Sequence, residues 1–263
     1  MLSAEQITSN WEKFLFNLNI NFTGDRYDKL FNFYDKFADR FALMPASGKL
    51  SYHNAFAGGY IDHVNRVLSY SLRIYQLWVD LEADVSTFTL EELAFVAINH
   101  DLGKFGDFGH EEYLIEEDNY CIKKGQIYKH NPDISFMKTS ERSLFLLQEI
   151  GVPVSQNEYL GIKLHDGLYE EANKSYYMSF SEEYRLRSNL PYIVHQADLL
   201  ATRVEHDRLV VKESPAKKAF RNSLKKELAS KPSVTDDIKN HLPPPAPKPV
   251  NKNKYSSLLS SLK

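Results

Sequence analysis

Cysteine is nearly missing. Cys121 stands alone among 263 residues, which excludes a disulfide framework and any zinc cage built from thiolates. No run reaches the roughly 18 consecutive apolar residues of a membrane span. The first residues, MLSAEQITSNWEK, lack the basic-then-apolar pattern of a secretory signal, so a cytoplasmic protein is expected. Glycine numbers 11 and follows no period, internal repeats are absent, and no stretch alternates apolar and polar residues convincingly enough for a strand. An all-α fold is what remains.

Positive charge is scarce in the body of the chain. From Arg208 to the end, 13 basic residues face 4 acidic ones, which leaves 19 basic against 31 acidic in residues 1–207. An acidic body does not suit duplex DNA, whose phosphates need clustered positive charge. The basic end reads as a solvated, self-repelling segment or as a contact for nucleic acid.

Aromatic residues are plentiful, with 16 Phe and 16 Tyr, enough apolar area for a sizeable core. Ser3 with Gln6 forms a capping box ahead of Trp11, Phe14, Leu15 and Leu18. A second amphipathic helix is predicted from about Asp25 to Leu43. A loop over 45–57 precedes a helix from Tyr60 to about Val79. Thr89 with Glu92 caps LEELAFVAINH, apolar nearly all round and therefore central, with Gly103 read as its C-terminal glycine. Residues 105–137 read as irregular. Further helices are expected near 139–150, 156–165 (capped by Ser155 with Glu158) and 191–208. The domain plan is N-terminal helices over 1–50 packing on a core over 51–210, a basic helical extension over 211–240, and a flexible Pro-rich tail over 241–263 ending in an amphipathic peptide.

Three features carry chemistry. His100 and Asp101 end the apolar helix, His63 lies on an earlier helix, and Asp198 on a later one. A polar pair closing a buried helix is costly unless hydrogen-bonded, paired or metal-bound. Imidazole with carboxylate suits divalent first-row metals, and ligands from separate helices meet only inside a bundle. Taken singly, each residue has a plainer reading, as a hydrogen-bonded core histidine or a helix cap.

The segments GGYIDHVNRV, AINHDLGK and HQADLLATRVE together resemble the HD superfamily of metal-dependent phosphohydrolases, over about Gly58 to Glu205. The resemblance implies an HD-domain helical bundle in which His63, His100, Asp101 and Asp198 hold one divalent ion (Mn, Mg, Co, Ni, Fe or Zn). It implies hydrolysis of a phosphoester or phosphoanhydride bond of a nucleotide by metal-activated water. Asp101 would ligate the ion while steering or deprotonating the water. Lys104 would meet a phosphate as a point charge, or simply complement the helix terminus. Arg66, three residues after His63, would aim a guanidinium at that phosphate, or lie on the surface. Arg203 points off-axis from Asp198 and is weaker. His195 would orient a ligand from behind, or be a core histidine. Some superfamily members hold two ions; His110, His130 and His165 are the candidates here, with Asp166 where two-metal members carry a second histidine. Loop positions favour plain surface roles for His110 and His130, and His165 is read as a substrate contact or general acid, with Asp166 beside it in substrate binding.

The fold does not select the substrate. A nucleotide leads; a 3′ exonuclease or phosphodiesterase on single-stranded nucleic acid is the alternative, with aromatic residues as stacking platforms. A third reading is a low-activity scaffold whose residues 243–263, with Leu258, Leu259 and Leu262, dock on a protein partner. Resemblance also implies a homodimer; no membrane partner is expected.

Overall fold

The computed structural model describes residues 2–210. The basic extension at 211–240 and the Pro-rich tail at 241–263 lie outside the described residues, and so do the docking leucines. The described chain is mostly helical: α1 (Ala4–Asn21), α2 (Gly24–Lys36), α3 (Ala38–Leu43), α4 (Gly59–Asp80), α5 (Leu90–Asn99), α6 (Asn119–Lys123), α7 (Thr139–Glu149), α8 (Gln156–Leu164), α9 (Lys174–Tyr177) and α10 (Leu190–Val210). No described helix is long and apolar enough to cross a membrane.

Three helices open as the sequence predicts. Ser3, Thr89 and Ser155 each accept from the backbone N–H three residues on, and Gln6, Glu92 and Glu158 answer each cap's own N–H. Such reciprocal pairs satisfy two otherwise orphaned donors. α5 is the centre of the molecule, with every residue from Leu93 to Asn99 buried. It packs between α4 and α8, while α10 lies along α4. Trp11, Phe14, Leu18 and Phe41 from α1 and α3 share one apolar cluster with α4, α5 and α10. The first fifty residues therefore complete the same core.

The expected single helix over Asp25–Leu43 is broken at Phe37, which leaves helical geometry (φ −113°, ψ 28°). No glycine or proline marks the break. Phe37 instead turns edge-on to Phe33 and Phe105, at 5.7 and 5.0 Å between ring centroids, so tertiary packing overrides local pattern.

Gly103 is not the αL cap the sequence suggests. Helix α5 stops at Asn99, and Gly103 lies inside a 3-10 turn, Leu102–Phe105. Its requirement is steric, since a Cβ there would collide with the carbonyl oxygen of Thr139 at the start of α7. The close approach lets Gly103 N–H donate to Ser143 Oγ (2.7 Å) while the Ser143 hydroxyl faces the His100 carbonyl (3.1 Å). Helix α7 thus clamps the segment that carries His100 and Asp101.

Residues 105–137 are more ordered than expected. An antiparallel hairpin pairs β1 (Tyr113–Ile115) with β2 (Tyr128–His130), in the register Tyr113 to His130 and Ile115 to Tyr128. Strands of three residues are too short for alternation to register in a sequence. The 46–53 loop is fastened to the hairpin connection: Leu50 N–H donates to the Gly125 carbonyl, and Ile127 and Tyr128 N–H to that of Gly48.

Candidate metal centre

Four separate elements deliver the candidate ligands to one place. His63 comes from the second turn of α4, which starts at Gly58–Gly59. Gly58 adopts φ +82°, and a Cβ on Gly59 would strike the Asn54 backbone, so this entry needs both glycines. His100 and Asp101 follow α5, His165 and Asp166 follow α8, and Asp198 lies mid-way along α10.

His63 Nε2 lies 3.2 Å from Asp198 Oδ1 and 3.6 Å from Asp101 Oδ2. His100 Nε2 lies 3.5 Å from Asp101 Oδ2 and 4.0 Å from Asp198 Oδ1. His165 Nε2 is 3.6 Å from both Asp101 Oδ1 and Asp166 Oδ1. Donors held about 2.1 Å from a shared ion stand roughly 3.0–3.4 Å apart when adjacent and about 4.2 Å apart when opposite; separations of 3.2–4.0 Å lie at or a few tenths of an ångström beyond the adjacent spacing, close enough for an ion to draw the donors in. His63, His100 and Asp198 form one such group; His100, Asp101 and His165 form an adjoining one.

Hydrogen bonds at the far side of each ring fix what the near side offers. His100 Nδ1 is 3.0 Å from the Ala97 carbonyl and His165 Nδ1 is 2.7 Å from that of Ile162. A carbonyl only accepts, so both Nδ1 atoms carry the proton. His63 Nδ1 faces the buried Glu205 carboxylate at 3.1 Å. In the neutral rings all three Nε2 atoms are then bare lone pairs. Those of His63 and His100 face each other at 3.4 Å, an arrangement that calls for a proton or a cation between them.

Electrostatics agree. Burial pulls the His63 imidazole toward its neutral form, but the Glu205 and Asp198 carboxylates outweigh it and raise the pKa to about 10. His165 is raised to about 10 in the same way, burial being outweighed by Asp166 and Asp101. Burial alone would raise Asp101 and Asp198, yet Lys104 and His100 hold Asp101 well below the carboxylate range, and His63 does the same for Asp198. The pocket is short of positive charge, and the donor set fits a divalent ion.

Other expected residues sit elsewhere or differently. Lys104 Nζ rests on Asp101 Oδ2 at 2.5 Å and also lines an open cleft. Arg66 does not aim at the centre: its guanidinium is held by Glu205 Oε1 (2.8 Å) and Asp62 Oδ2 (2.7 Å). The spacing from His63 is right, but Glu205 is fully buried and needs a countercharge, which draws Arg66 to the Nδ1 side of the ring. His195 Nδ1 faces the His165 carbonyl at 2.8 Å, steadying backbone rather than a ligand side chain. His110 pairs with Asp107 on the surface, and His130 with Glu112 at the hairpin edge. Neither joins a ligand group among the described residues.

Two residues escape the sequence reading. Glu205 lies seven residues after Asp198, two helical turns along α10, and that spacing is the signal that would have placed it on the same face. His53 sets its ring 4.7 Å from that of His63, tilted by 38°, and keeps a buried Nε2 without a hydrogen-bond partner among the described residues. Burial, with His63 and Lys104 nearby, pushes its pKa down to about 2. Nothing in its loop sequence announces it. Comparison with protein-family models, curated proteins and solved structures returns no match to this chain.

Proposed function

We propose that this chain is a metal-dependent phosphohydrolase of the HD type, acting on a phosphoester or phosphoanhydride bond of a nucleotide. The observation that carries the reading is the convergence of three Nε2 atoms on the Asp101 and Asp198 carboxylates, each ring fixed from behind by an acceptor. A divalent ion held by His63, His100, Asp101 and Asp198 would supply Lewis acidity, lowering the pKa of water and polarising a phosphoryl oxygen.

The chain's own residues do the rest. Asp101 lies between the three imidazoles and the Lys104 ammonium, so one carboxylate oxygen can ligate while the other accepts a proton from water. Burial opposes the charge on Lys104, but the Asp101 carboxylate keeps it protonated; its reach into the cleft offers a fixed positive charge to phosphoryl oxygens. His165, whose protonated form Asp166 and Asp101 favour against burial, would contact substrate or deliver a proton to the leaving oxygen.

The test combines metal content with turnover. Purified protein given Mn²⁺, Mg²⁺, Co²⁺ or Ni²⁺ is expected to hydrolyse one member of a panel of nucleotides, cyclic dinucleotides and labelled single-stranded oligonucleotides. His100→Ala and Asp101→Ala should each abolish that turnover and the bound metal while circular dichroism stays helical. Full activity in both variants rejects the reading.

A further inference from the structure

Beside the metal centre lies an open cleft of about 780 Å³. The 46–53 loop and the hairpin form one wall, and α10 forms the other with Leu199, Thr202, Arg203 and His206. Those four α10 positions recur at three- and four-residue spacing, one face of the helix. Arg203 is off-axis from Asp198, as its spacing says, and that direction is into the cleft.

The lining is cationic in a body that is acidic. Lys49, Lys104 and Arg203 line the cleft, and Asp166 is the one carboxylate in the lining. Arg203 and Lys49 take part in no ion pair among the described residues; Lys49 lies over the Tyr52 ring instead. By contrast Arg26, Arg66 and Arg142 are all committed to carboxylates. Four tyrosines, Tyr52, Tyr113, Tyr128 and Tyr169, also line the cleft. Lys104 is shared with Asp101, but Lys49 and Arg203 carry positive charge that no carboxylate among the described residues takes up, and such charge, set against the sign of its surroundings, favours a ligand of several negative charges.

Position decides what the charges are for. Five residues of helix separate Arg203 from Asp198, about 7.5 Å along the axis, and a guanidinium fork at that remove lies beyond the phosphoryl group that Lys104 serves. Resting on the phosphohydrolase reading, we propose that Arg203, with Lys49 from the loop wall, binds a second phosphate next to the one cleaved. The substrate is then a chain of at least two phosphates, and a simple monophosphate is a poor one. The neighbouring phosphate is supplied either by a nucleoside polyphosphate or by the backbone of a short oligonucleotide.

Three probes with Mn²⁺ test this: p-nitrophenyl phosphate, adenosine diphosphate and 5′-phosphorylated dithymidine. Arg203→Ala should lower kcat/KM for one of the last two at least about tenfold relative to its effect on p-nitrophenyl phosphate, chiefly through KM, as loss of a charge-assisted contact does. Arg203→Lys should recover part of the loss. Whichever of the two probes responds names the source of the phosphate. A ratio unchanged within about twofold for both overturns the proposal. A second readout does not depend on turnover: inorganic tripolyphosphate titrated calorimetrically into EDTA-treated protein should bind at least about tenfold more weakly to Arg203→Ala than to the wild type, with exposed Arg73→Ala as the charge control. Equal binding by the wild type and Arg203→Ala, or equal loss in the Arg73 control, overturns the site. If no probe is hydrolysed yet tripolyphosphate binding depends on Arg203, the phosphohydrolase reading fails and the phosphate site stands.

Discussion

The two nitrogens of His63 face different partners. Nε2 looks toward Asp198 and Asp101, while Nδ1 lies against Glu205, which is itself held by Arg66 and, through it, by Asp62. Asn54, in the left-handed region at φ +45°, donates to Asp62 Oδ2 at 3.0 Å and closes the chain of contacts. A carboxylate behind a ligating imidazole fixes its tautomer and raises its basicity, and losing such a partner costs about 10–100-fold in metal affinity. Glu205→Gln keeps an acceptor for Nδ1–H but removes the charge. Metal affinity, measured by competition with a chromophoric chelator, should therefore fall about tenfold in Glu205→Gln and further in Glu205→Ala. Equal affinity in all three proteins would mean Glu205 does no more than fill space. At this scale the sequence names the candidate ligands through the His-Asp doublet and two flanking residues, and the structure brings them together. It hides the direction of Arg66, because periodicity places a residue on a helix face and says nothing of which buried acid claims its side chain. His53 is hidden for a related reason, since a loop has no period from which to infer a neighbour.

Elements differ in how much of themselves they announce. Capping boxes and an unbroken apolar run are local, so α1, α5 and α8 are legible from Ser3, Thr89 and Ser155 onward. The break at Phe37 and the three-residue strands at Tyr113 and Tyr128 depend on partners far away in sequence, and local pattern carries no trace of them. Gly103 belongs to both kinds. Its presence after a helix is visible, but the reason for it is the Thr139 carbonyl of α7. Gly103→Ala must push α7 off the turn that holds His100 and Asp101, and overpacking of this kind costs about 1–3 kcal/mol. Urea unfolding of the metal-free variant should show that loss, and metal affinity should drop with it, because the clamp through Ser143 loosens. A variant with wild-type stability and affinity would show that the approach of α7 is incidental.

Net charge is a poor guide to local field, and the whole molecule shows why. Residues 1–207 are strongly acidic, which speaks against a polyanionic ligand, yet the cleft is lined by Lys49, Lys104 and Arg203 against the single carboxylate of Asp166. Low-dielectric walls focus the nearby charges and leave the distant ones screened.

The same imbalance predicts how the folded state answers to pH and metal together. In the metal-free protein His63 and His165 titrate near 10, against 6.5 for an unhindered histidine. Between those values the folded chain binds more protons than the unfolded one, so stability is fully present below about pH 6.5 and is lost as pH rises through 10. On the acid side the signs reverse. His53, held near 2, takes up its proton only on unfolding, so its contribution falls as pH drops below about 6.5, and the lowered Asp101 and Asp198 add their own loss once pH drops below the ordinary carboxylate value of 3.8. Metal adds its own pH dependence. Ligands must be deprotonated to bind, so affinity rises with pH, and an ion at 100 times its Kd would add about 2.7 kcal/mol to a fold whose proposed ligands come from three separate elements. For a chain of this length that is a rise in Tm of several degrees, about 2–4 °C for each kcal/mol. Thermal melts from pH 6 to pH 10 should therefore show a falling Tm in EDTA and a flat or rising one with Mn²⁺, the two curves separating as pH increases. His100→Ala should lose most of the metal-dependent separation. Parallel curves for the wild type would mean that the imidazoles do not exchange their protons for the ion, and the metal centre would have to be sought elsewhere in the chain.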